Sequence, residues 1–316
     1  MKTIIFYHND LDGLSSALGF AYNDYLDKIS KLVPDYKELR KYYYFYEVHY
    51  GMDNIFEILE KYNIDINRFK RTVVVDYSFS KETMSKFLKI FKENFIWIDH
   101  HKNIISEMSD LEIKGLRDIN HSASVLVWKY LNKEPSLFSQ YVQDMDIWIW
   151  QLPDSKDVLQ YLDFLYLQIY DKDKDREFEV INEYLKLFND EYFKECFPIF
   201  KEYGKLMNTY INTKVKDDVS TGKVIEFEGI KTFVVNSQFK AGYISEYIFN
   251  SELYKDVEMI IVWYRYYTKG QDQKDFDKIS LRSKNIDCSM IAKKYGGNGH
   301  PKASGFISDD FSKLIL

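Results

Sequence analysis

Residues 3–13 read TIIFYHNDLDG, an apolar run followed at once by an imidazole and two carboxylates. The run Thr3–Tyr7 is rich in β-branched and aromatic residues, which predicts a buried strand. His8, Asp10 and Asp12 follow at alternate positions, and alternate side chains of an extended segment point to the same side. A helix predicted over Gly13–Tyr25 begins after a sharp turn that its first glycine allows. The stretch therefore predicts a strand and a helix with three potential metal ligands between them.

Two further apolar runs end in the same kinds of side chain. Residues 72–75 (TVVV) precede Asp76, and residues 95–98 (FIWI) precede Asp99, His100 and His101. Helical patterns between these runs predict a doubly wound parallel sheet, and such sheets bind ligands at the carboxyl ends of their strands. The carboxylates that converge there need counter-charges, because like charges at close range repel strongly. Divalent cations are the simplest partners, with Mn²⁺ favoured by the mixed imidazole and carboxylate donors and Mg²⁺ the alternative.

Composition narrows the class of protein. A length of 316 residues favours two domains. A net charge of −6 argues against general nucleic-acid binding, so a nucleic-acid substrate would depend on a local basic site and metals. Cys196 and Cys288 form no CxxC pair, which indicates reduced thiols and a cytoplasmic protein. The N-terminus lacks the pattern of a signal peptide, and no apolar stretch is long enough to predict a membrane span.

The pattern changes twice along the chain. From residue 159 to about 215 it is long and helical, and a β pattern returns at Lys223–Phe227 and Lys231–Val235. Further strands are predicted over Met259–Tyr267 and Lys278–Arg282, before a glycine-rich segment at residues 296–305. We therefore expect a catalytic α/β domain at 1–158, a helical connector at 159–222, and a smaller α/β domain with a mixed sheet at 223–316.

These motifs resemble those of the DHH phosphoesterases, over nearly the whole chain. The sequence HNDLDG at residues 8–13, the lone Asp76 and the DHH triplet at residues 99–101 match the first three motifs of that family. The fourth motif is an aspartate, for which QDMDIW at residues 143–148 offers Asp144, the preferred candidate, and Asp146, the alternative. Residues 280–306 resemble the DHH-associated C-terminal domain, with Asn298 where the family often has glycine. Asn tolerates the left-handed conformation that glycine adopts, so we expect this difference to be tolerated.

The resemblance implies a role for each motif residue. It implies that one metal ion would be bound by His8 and Asp10, and the other by Asp12, Asp144 and His100. It also implies that Asp76 would bridge the two ions. A water activated by the two ions would attack phosphorus in line. His101 would hydrogen-bond the phosphate or the leaving oxygen, and Asp99 would orient a histidine.

The C-terminal domain would bind the rest of the substrate across a cleft. The residues expected to do so are Arg282, Gly297, Gly299 and His300, since glycines admit a phosphate to backbone N–H groups and the other two add donors. Trp148 and Trp150 are expected to pack in the core.

At this length we expect no room for an OB-fold, and the C-terminal signature is present. Both points favour a compact phosphodiesterase, related to the nanoRNases, that acts on short single-stranded oligonucleotides or nucleotides. Within the family, a large RecJ-type exonuclease would need the OB-fold, and a family II pyrophosphatase would lack the signature. The alternatives are an exopolyphosphatase-like hydrolase and an inactive nucleotide-binding domain. The oligomeric state is open, with a homodimer as one alternative.

Overall fold

The computed structural model describes residues 2–49, 52, 54–170, 174–239, 241–267 and 275–315, without the side chains of Asn103, Tyr170, Lys174, Asp175, Asn298 and His300. The chain forms two compact units, Met1–Met207 and Asn208–Leu316. The strands of the first unit are β1 (Lys2–His8), β2 (Tyr43–Val48), β3 (Phe69–Val75) and β4 (Phe95–Ile98). Its helices are α1 (Leu11–Lys28), α2 (Tyr36–Tyr42), α3 (Ile55–Lys61), α4 (Lys81–Phe91), α5 (Lys102–Glu107), α6 (Ala123–Tyr130), α7 (Leu137–Asp146), α8 (Ser155–Leu167), α9 (Lys174–Leu187) and α10 (Asp190–Ser220), which continues past residue 207.

The first unit is a parallel sheet covered on both faces. Its strand order is β2-β1-β3-β4, and every pairing is parallel. Successive side chains of a strand point to opposite faces, so each strand contributes to two cores. Ile5 and Val73 pack with α1 and α6–α10, whereas Phe6 and Val74 pack with α3 and α4. The predicted doubly wound parallel architecture is confirmed.

Two features of this unit differ from the sequence interpretation. The edge strand β2 was not predicted, although its sequence YYFYEV is rich in residues that favour strands. The helices assigned to a separate connector, α8 and α9, bury Leu162 and Tyr184 in the same core as α1. Residues 159–207 therefore belong to the first compact unit.

The second unit is a mixed sheet between two smaller cores. Its elements are β5 (Lys223–Phe227), β6 (Ile230–Asn236), α11 (Ala241–Phe249), β7 (Met259–Tyr266), β8 (Phe276–Ser283), α12 (Cys288–Lys294), β9 (Asn298–His300) and β10 (Ala303–Ser308). The strand order is β5-β6-β7-β8-β10-β9, with β6 and β7 parallel and the other pairs antiparallel. The predicted mixed sheet is confirmed. No helix within the described residues is both long and apolar enough to cross a bilayer.

Candidate metal centre

The strand register brings the predicted motif residues to one edge of the sheet. Tyr7 of β1 pairs with Val75 of β3, which in turn pairs with Ile98 of β4. Each of these three paired residues is followed in the chain by a motif residue: His8, Asp76 and Asp99, respectively. The three motif side chains therefore leave the sheet side by side. Three sequence motifs separated by more than 20 residues thus meet because their strands are adjacent and parallel.

One group of potential ligands forms around His8. Nδ1 of His8 lies 2.6 Å from Oδ2 of Asp10 and 3.8 Å from Oδ2 of Asp76. Asp76 is buried and has a φ of +53°, a left-handed conformation that non-glycine residues adopt at some energetic cost and that is common at functional sites. His8, Asp10 and Asp76 each offer an atom to a common centre.

A second group forms around His100. Nε2 of His100 lies 3.2 Å from Oδ1 of Asp76, 3.4 Å from Oδ2 of Asp146 and 4.0 Å from Oδ2 of Asp12. Asp12, His100 and Asp146 offer atoms to a second common centre. Asp76 directs its Oδ2 toward the first group and its Oδ1 toward the second, so its carboxylate lies between them.

The first-motif carboxylates are held by helix N-termini. Oδ1 of Asp10 accepts a 2.8 Å hydrogen bond from the N–H of Gly13 and caps α1. The two oxygens of Asp12 accept from the N–H groups of Ala123 and Ser124, both at 2.9 Å, so Asp12 serves as the cap of α6. Such bonds satisfy N–H groups that have no partner within the helix and place negative charge at the positive end of its dipole. The two carboxylates are therefore fixed in position.

Gly13 has a different role from the one predicted. Its φ is not in the left-handed range, and it lies inside the first turn of α1 rather than at a sharp turn. A Cβ at this position would lie 2.1 Å from the carbonyl oxygen of His8. Glycine is required because the helix approaches the end of β1 too closely for any side chain.

Asp99 anchors the second histidine of the DHH triplet. Its Oδ1 lies 2.7 Å from Nδ1 of His101 and also accepts the backbone N–H groups of His100, at 2.7 Å, and His101, at 3.3 Å. Asp99 is fully buried, and its carboxylate raises the pKa of His101 by enough to outweigh the opposing effect of burial. Asp99 therefore fixes the orientation of the His101 ring.

The structure distinguishes the two fourth-motif candidates. Asp146 joins the group around His100, whereas Asp144, the preferred candidate from sequence, does not. Oδ1 of Asp144 accepts the N–H of Gln151 at 2.9 Å, and its Oδ2 accepts the N–H of Leu152 at 3.2 Å. The loop after α7 occupies both oxygens of Asp144, so the geometry favours Asp146 over the candidate preferred from sequence, and the choice of ligand stays a prediction.

The donor set fits divalent cations. Burial, followed by the charges of Asp10 and Asp12, raises the pKa of Asp76 well above its usual value, and burial with the charge of Asp10 raises that of Asp12 to about 7. Burial lowers the pKa of His100 to about 4, which leaves the ring neutral and able to act as a ligand. Oδ2 of Asp146 is buried and accepts no hydrogen bond within the described residues. Cations would neutralise this cluster and give that oxygen a partner.

The predicted substrate residues lie in the second unit. Arg282 is in β8 opposite Ala303, and it donates from Nη1 to the carbonyl of Leu281 at 2.8 Å. The glycine-rich segment forms the β9–β10 hairpin, in which Gly299 has a φ of +142° and a Cβ would lie 2.4 Å from Cα of Ser304. The hairpin itself thus requires this glycine. The side chain of His300 lies outside the described part of the chain, and the binding role of these residues stays a prediction.

One residue of the Trp pair after α7 differs from the sequence expectation. Trp148 is 62% exposed rather than part of the core, whereas Trp150 is half-buried and packs against the core that contains α1. The backbone of both residues is left-handed, with φ of +59° and +55°. No sequence signal identified this exposure, because most aromatic residues in so aromatic a chain belong to the cores.

Comparison with known proteins supports the family resemblance. The chain superposes on the DHH domain of a member of the s1p family of ribosomal proteins with a TM-score of 0.54 and 15% identity, covering 99% of this chain and 84% of that one. The pGpG-specific phosphodiesterase PggH of Vibrio cholerae gives a TM-score of 0.52 and 14% identity, covering 98% and 93%. This chain has the DHH fold. The resemblance read from the motifs is thus confirmed for the fold.

A curated relative adds a link at the sequence level. Oligoribonuclease NrnB of Bacillus subtilis is 23% identical over 244 residues, which cover 69% of this chain and 54% of NrnB. The chain spans between 54% and 62% of the length of the curated relatives it matches. No model of a protein family matches the chain.

Proposed function

We propose that this DHH-fold protein is a metal-dependent phosphoesterase that hydrolyses phosphodiester bonds of short oligonucleotides or nucleotides. The observation that carries the proposal is the position of Asp76, whose two oxygens face two separate groups of potential ligands. A shared carboxylate between two groups of donors is typical of two-metal hydrolytic sites. The names of two similar proteins, a pGpG-specific phosphodiesterase and an oligoribonuclease, support the substrate class.

Each group of side chains has a proposed role. One cation would be held by His8 and Asp10. The other would be held by Asp12, His100 and Asp146. Asp76 would contribute to both sites. Divalent cations, when bound, polarise phosphate oxygens and lower the pKa of water. The mixture of imidazole and carboxylate donors favours Mn²⁺, with Mg²⁺ as the alternative.

His101 is assigned to the phosphate or the leaving oxygen. Its Nδ1 hydrogen-bonds with Asp99, which fixes the ring, and Nε2 is the nitrogen that we assign to the substrate. Arg282, Gly297, Gly299 and His300 are assigned to the part of the substrate away from the scissile bond. A cytoplasmic location is consistent with Cys196 and Cys288, neither of which forms a disulfide.

The test is a turnover panel with Mn²⁺ and an EDTA control. The substrates are an RNA dinucleotide, a long single-stranded RNA, a cyclic dinucleotide, 3′-phosphoadenosine 5′-phosphate and polyphosphate. We expect the dinucleotide to be preferred over the long RNA. Phosphate release from polyphosphate alone would support the exopolyphosphatase alternative, and no turnover of any substrate would support the inactive nucleotide-binding alternative.

Asp76→Asn tests the shared carboxylate. Asn tolerates the left-handed backbone of this position, so the fold is retained while a negative charge is lost. We expect turnover to be abolished and the number of bound Mn²⁺ ions to fall below the two per chain that we propose for the parent protein. Asp110→Ala is the matched control, because this carboxylate of the same unit is 63% exposed and pairs only with Lys81 at 2.6 Å among its described contacts. Turnover by Asp76→Asn at the parent rate would refute the bridging role.

A further inference from the structure

The loop that follows Asp146 carries an exposed aromatic residue. Trp148 is 62% exposed, an unusual state for the largest apolar side chain. It lies two residues after Asp146, so consecutive Cα spacing keeps the two Cα atoms within about 8 Å. The exposed residue therefore has its backbone close to that of Asp146, one of the candidate ligands.

The loop is held in this form at an energetic cost. Trp148 and Trp150 both have left-handed backbones, which for bulky residues cost about 1–3 kcal/mol each and persist only where the surroundings enforce them. Asp144 provides that enforcement. Its carbonyl accepts the N–H groups of Ile149 at 2.9 Å and Trp150 at 3.2 Å, and its carboxylate accepts those of the next two residues. One buried aspartate thus organises four successive N–H groups.

The ring of Trp150 contacts the exposed ring of Trp148. The Trp148 and Trp150 ring centroids lie 5.1 Å apart at an interplanar angle of 80°, an edge-to-face contact. Nζ of Lys156, on α8, lies 5.4 Å from the centroid of Trp150. This contact restricts the orientation of the Trp148 ring and is not a parallel stack.

We propose that Trp148 is a nucleobase-stacking residue, which binds the base of the nucleotide whose phosphate lies at the cluster of Asp76, His100 and Asp146. The inference rests on the proposed function and specifies its substrate as a nucleotide rather than a chain of bare phosphates. Stacking on an aromatic ring is tolerant of base identity, because every base has a π face. The residue therefore sets binding strength more than sequence preference.

Trp148→Ala tests the inference with a 5′-phosphorylated adenine dinucleotide as substrate. We expect KM to rise about 5-fold to 150-fold, the range of base stacking on an aromatic residue, with kcat unchanged. Trp148→Phe keeps a ring and is expected to restore most of the affinity. A dinucleotide analogue without bases is expected to show equal KM for the parent and Trp148→Ala.

Tyr62→Ala is the matched control. Tyr62 is 64% exposed in the same unit, and it follows α3, which leads into the amino end of β3 and so lies at the edge of the sheet opposite the cluster. We expect no change in KM for this variant. An unchanged KM for Trp148→Ala would overturn the stacking role and leave the phosphodiesterase proposal standing.

Calorimetric binding of adenosine 5′-monophosphate in the presence of Mn²⁺ separates the two proposals. Binding that Trp148→Ala weakens and Trp148→Phe preserves would support stacking even if the parent protein hydrolyses no substrate, in which case the proposed function fails alone. Equal binding by all three proteins would overturn stacking. Absence of both binding and turnover in the parent protein would overturn both.

Discussion

Asp144 and Asp146 are two residues apart on α7, yet the structure gives them opposite roles that substitution can separate. Asp144→Asn keeps the shape of the side chain but places an amide donor against one of the N–H groups of residues 151 and 152. A hydrogen bond to a charged group contributes about 1.5–3 kcal/mol, so the free energy of unfolding falls by that amount. For a unit of this size about 2–4 °C corresponds to 1 kcal/mol, so Tm falls by about 3–12 °C.

Asp146→Asn has the opposite signature. Oδ2 of Asp146 accepts no hydrogen bond within the described residues, and the charges of Asp12, Asp10 and Asp99 surround it. Loss of its charge therefore relieves repulsion, and we expect the metal-free protein to be at least as stable as the parent. A cation at 100 times its Kd stabilises the parent by about 2.7 kcal/mol, or about 5–11 °C. Asp146→Asn is expected to lose most of this increase.

The assay is thermal unfolding, followed by circular dichroism, of the parent and both variants with EDTA and with Mn²⁺. We expect Asp144→Asn to unfold at a lower temperature in EDTA and to retain its Mn²⁺-dependent increase. The reverse result, in which Asp144→Asn alone loses the increase while its metal-free Tm is unchanged, would refute the assignment of Asp146 as the ligand.

Three other predictions concern the fold and the substrate. Gly13→Ala is expected to lower the free energy of unfolding in urea by about 1–3 kcal/mol and to weaken Mn²⁺ binding, because the new Cβ clashes with the backbone of His8. Gly242→Ala in α11 is the control, and it is expected to be neutral or stabilising because its new Cβ has no neighbour within 4 Å. Equal effects of the two substitutions would contradict this. Despite its burial, Asp24 has a pKa below its usual value of 3.8 because Arg71 binds it with two nitrogens, so its contribution is complete above pH 4 and disappears as the pH falls through the lowered pKa. Arg71→Met is therefore expected to cost about 3–5 kcal/mol at pH 7 and clearly less at pH 2, as measured by urea unfolding, and an equal cost at both would refute the ion pair. His300→Ala is expected to raise KM more than it lowers kcat in steady-state kinetics, and an unchanged KM would refute its binding role.

The sequence predicted the sheet edge well because buried parallel strands leave strong signals. The runs before His8, Asp76 and Asp99 are continuous and apolar, as strands covered on both faces must be. Because helical segments alternate with these runs in the sequence, the strands were expected to lie parallel and adjacent in one sheet. The edge strand β2 was not predicted because it begins with four successive aromatic residues and shows no clean alternation of apolar and polar residues.

Other features depend on contacts that spacing does not encode. Asp144 and Asp146 both fit the motif, and only the path of residues 149–152 determines which one is occupied by backbone N–H groups. The exposure of Trp148 depends on the same path. Gly13 was correctly identified as a necessary glycine but for the wrong reason, since the close approach of α1 to β1 is visible only in three dimensions.

The bond between Asp12 and the first turn of α6 also has a consequence for the order of folding. It joins residues 111 positions apart in sequence, so it closes a long loop and forms slowly compared with local contacts. While the chain is being synthesised, Asp12 has no capping partner until α6 has emerged. A nascent or truncated chain that ends before Ala123 therefore presents Asp12 without the helix that fixes it. Cation affinity is thus expected to appear late in the folding of the first unit, after its strands and α1 have formed.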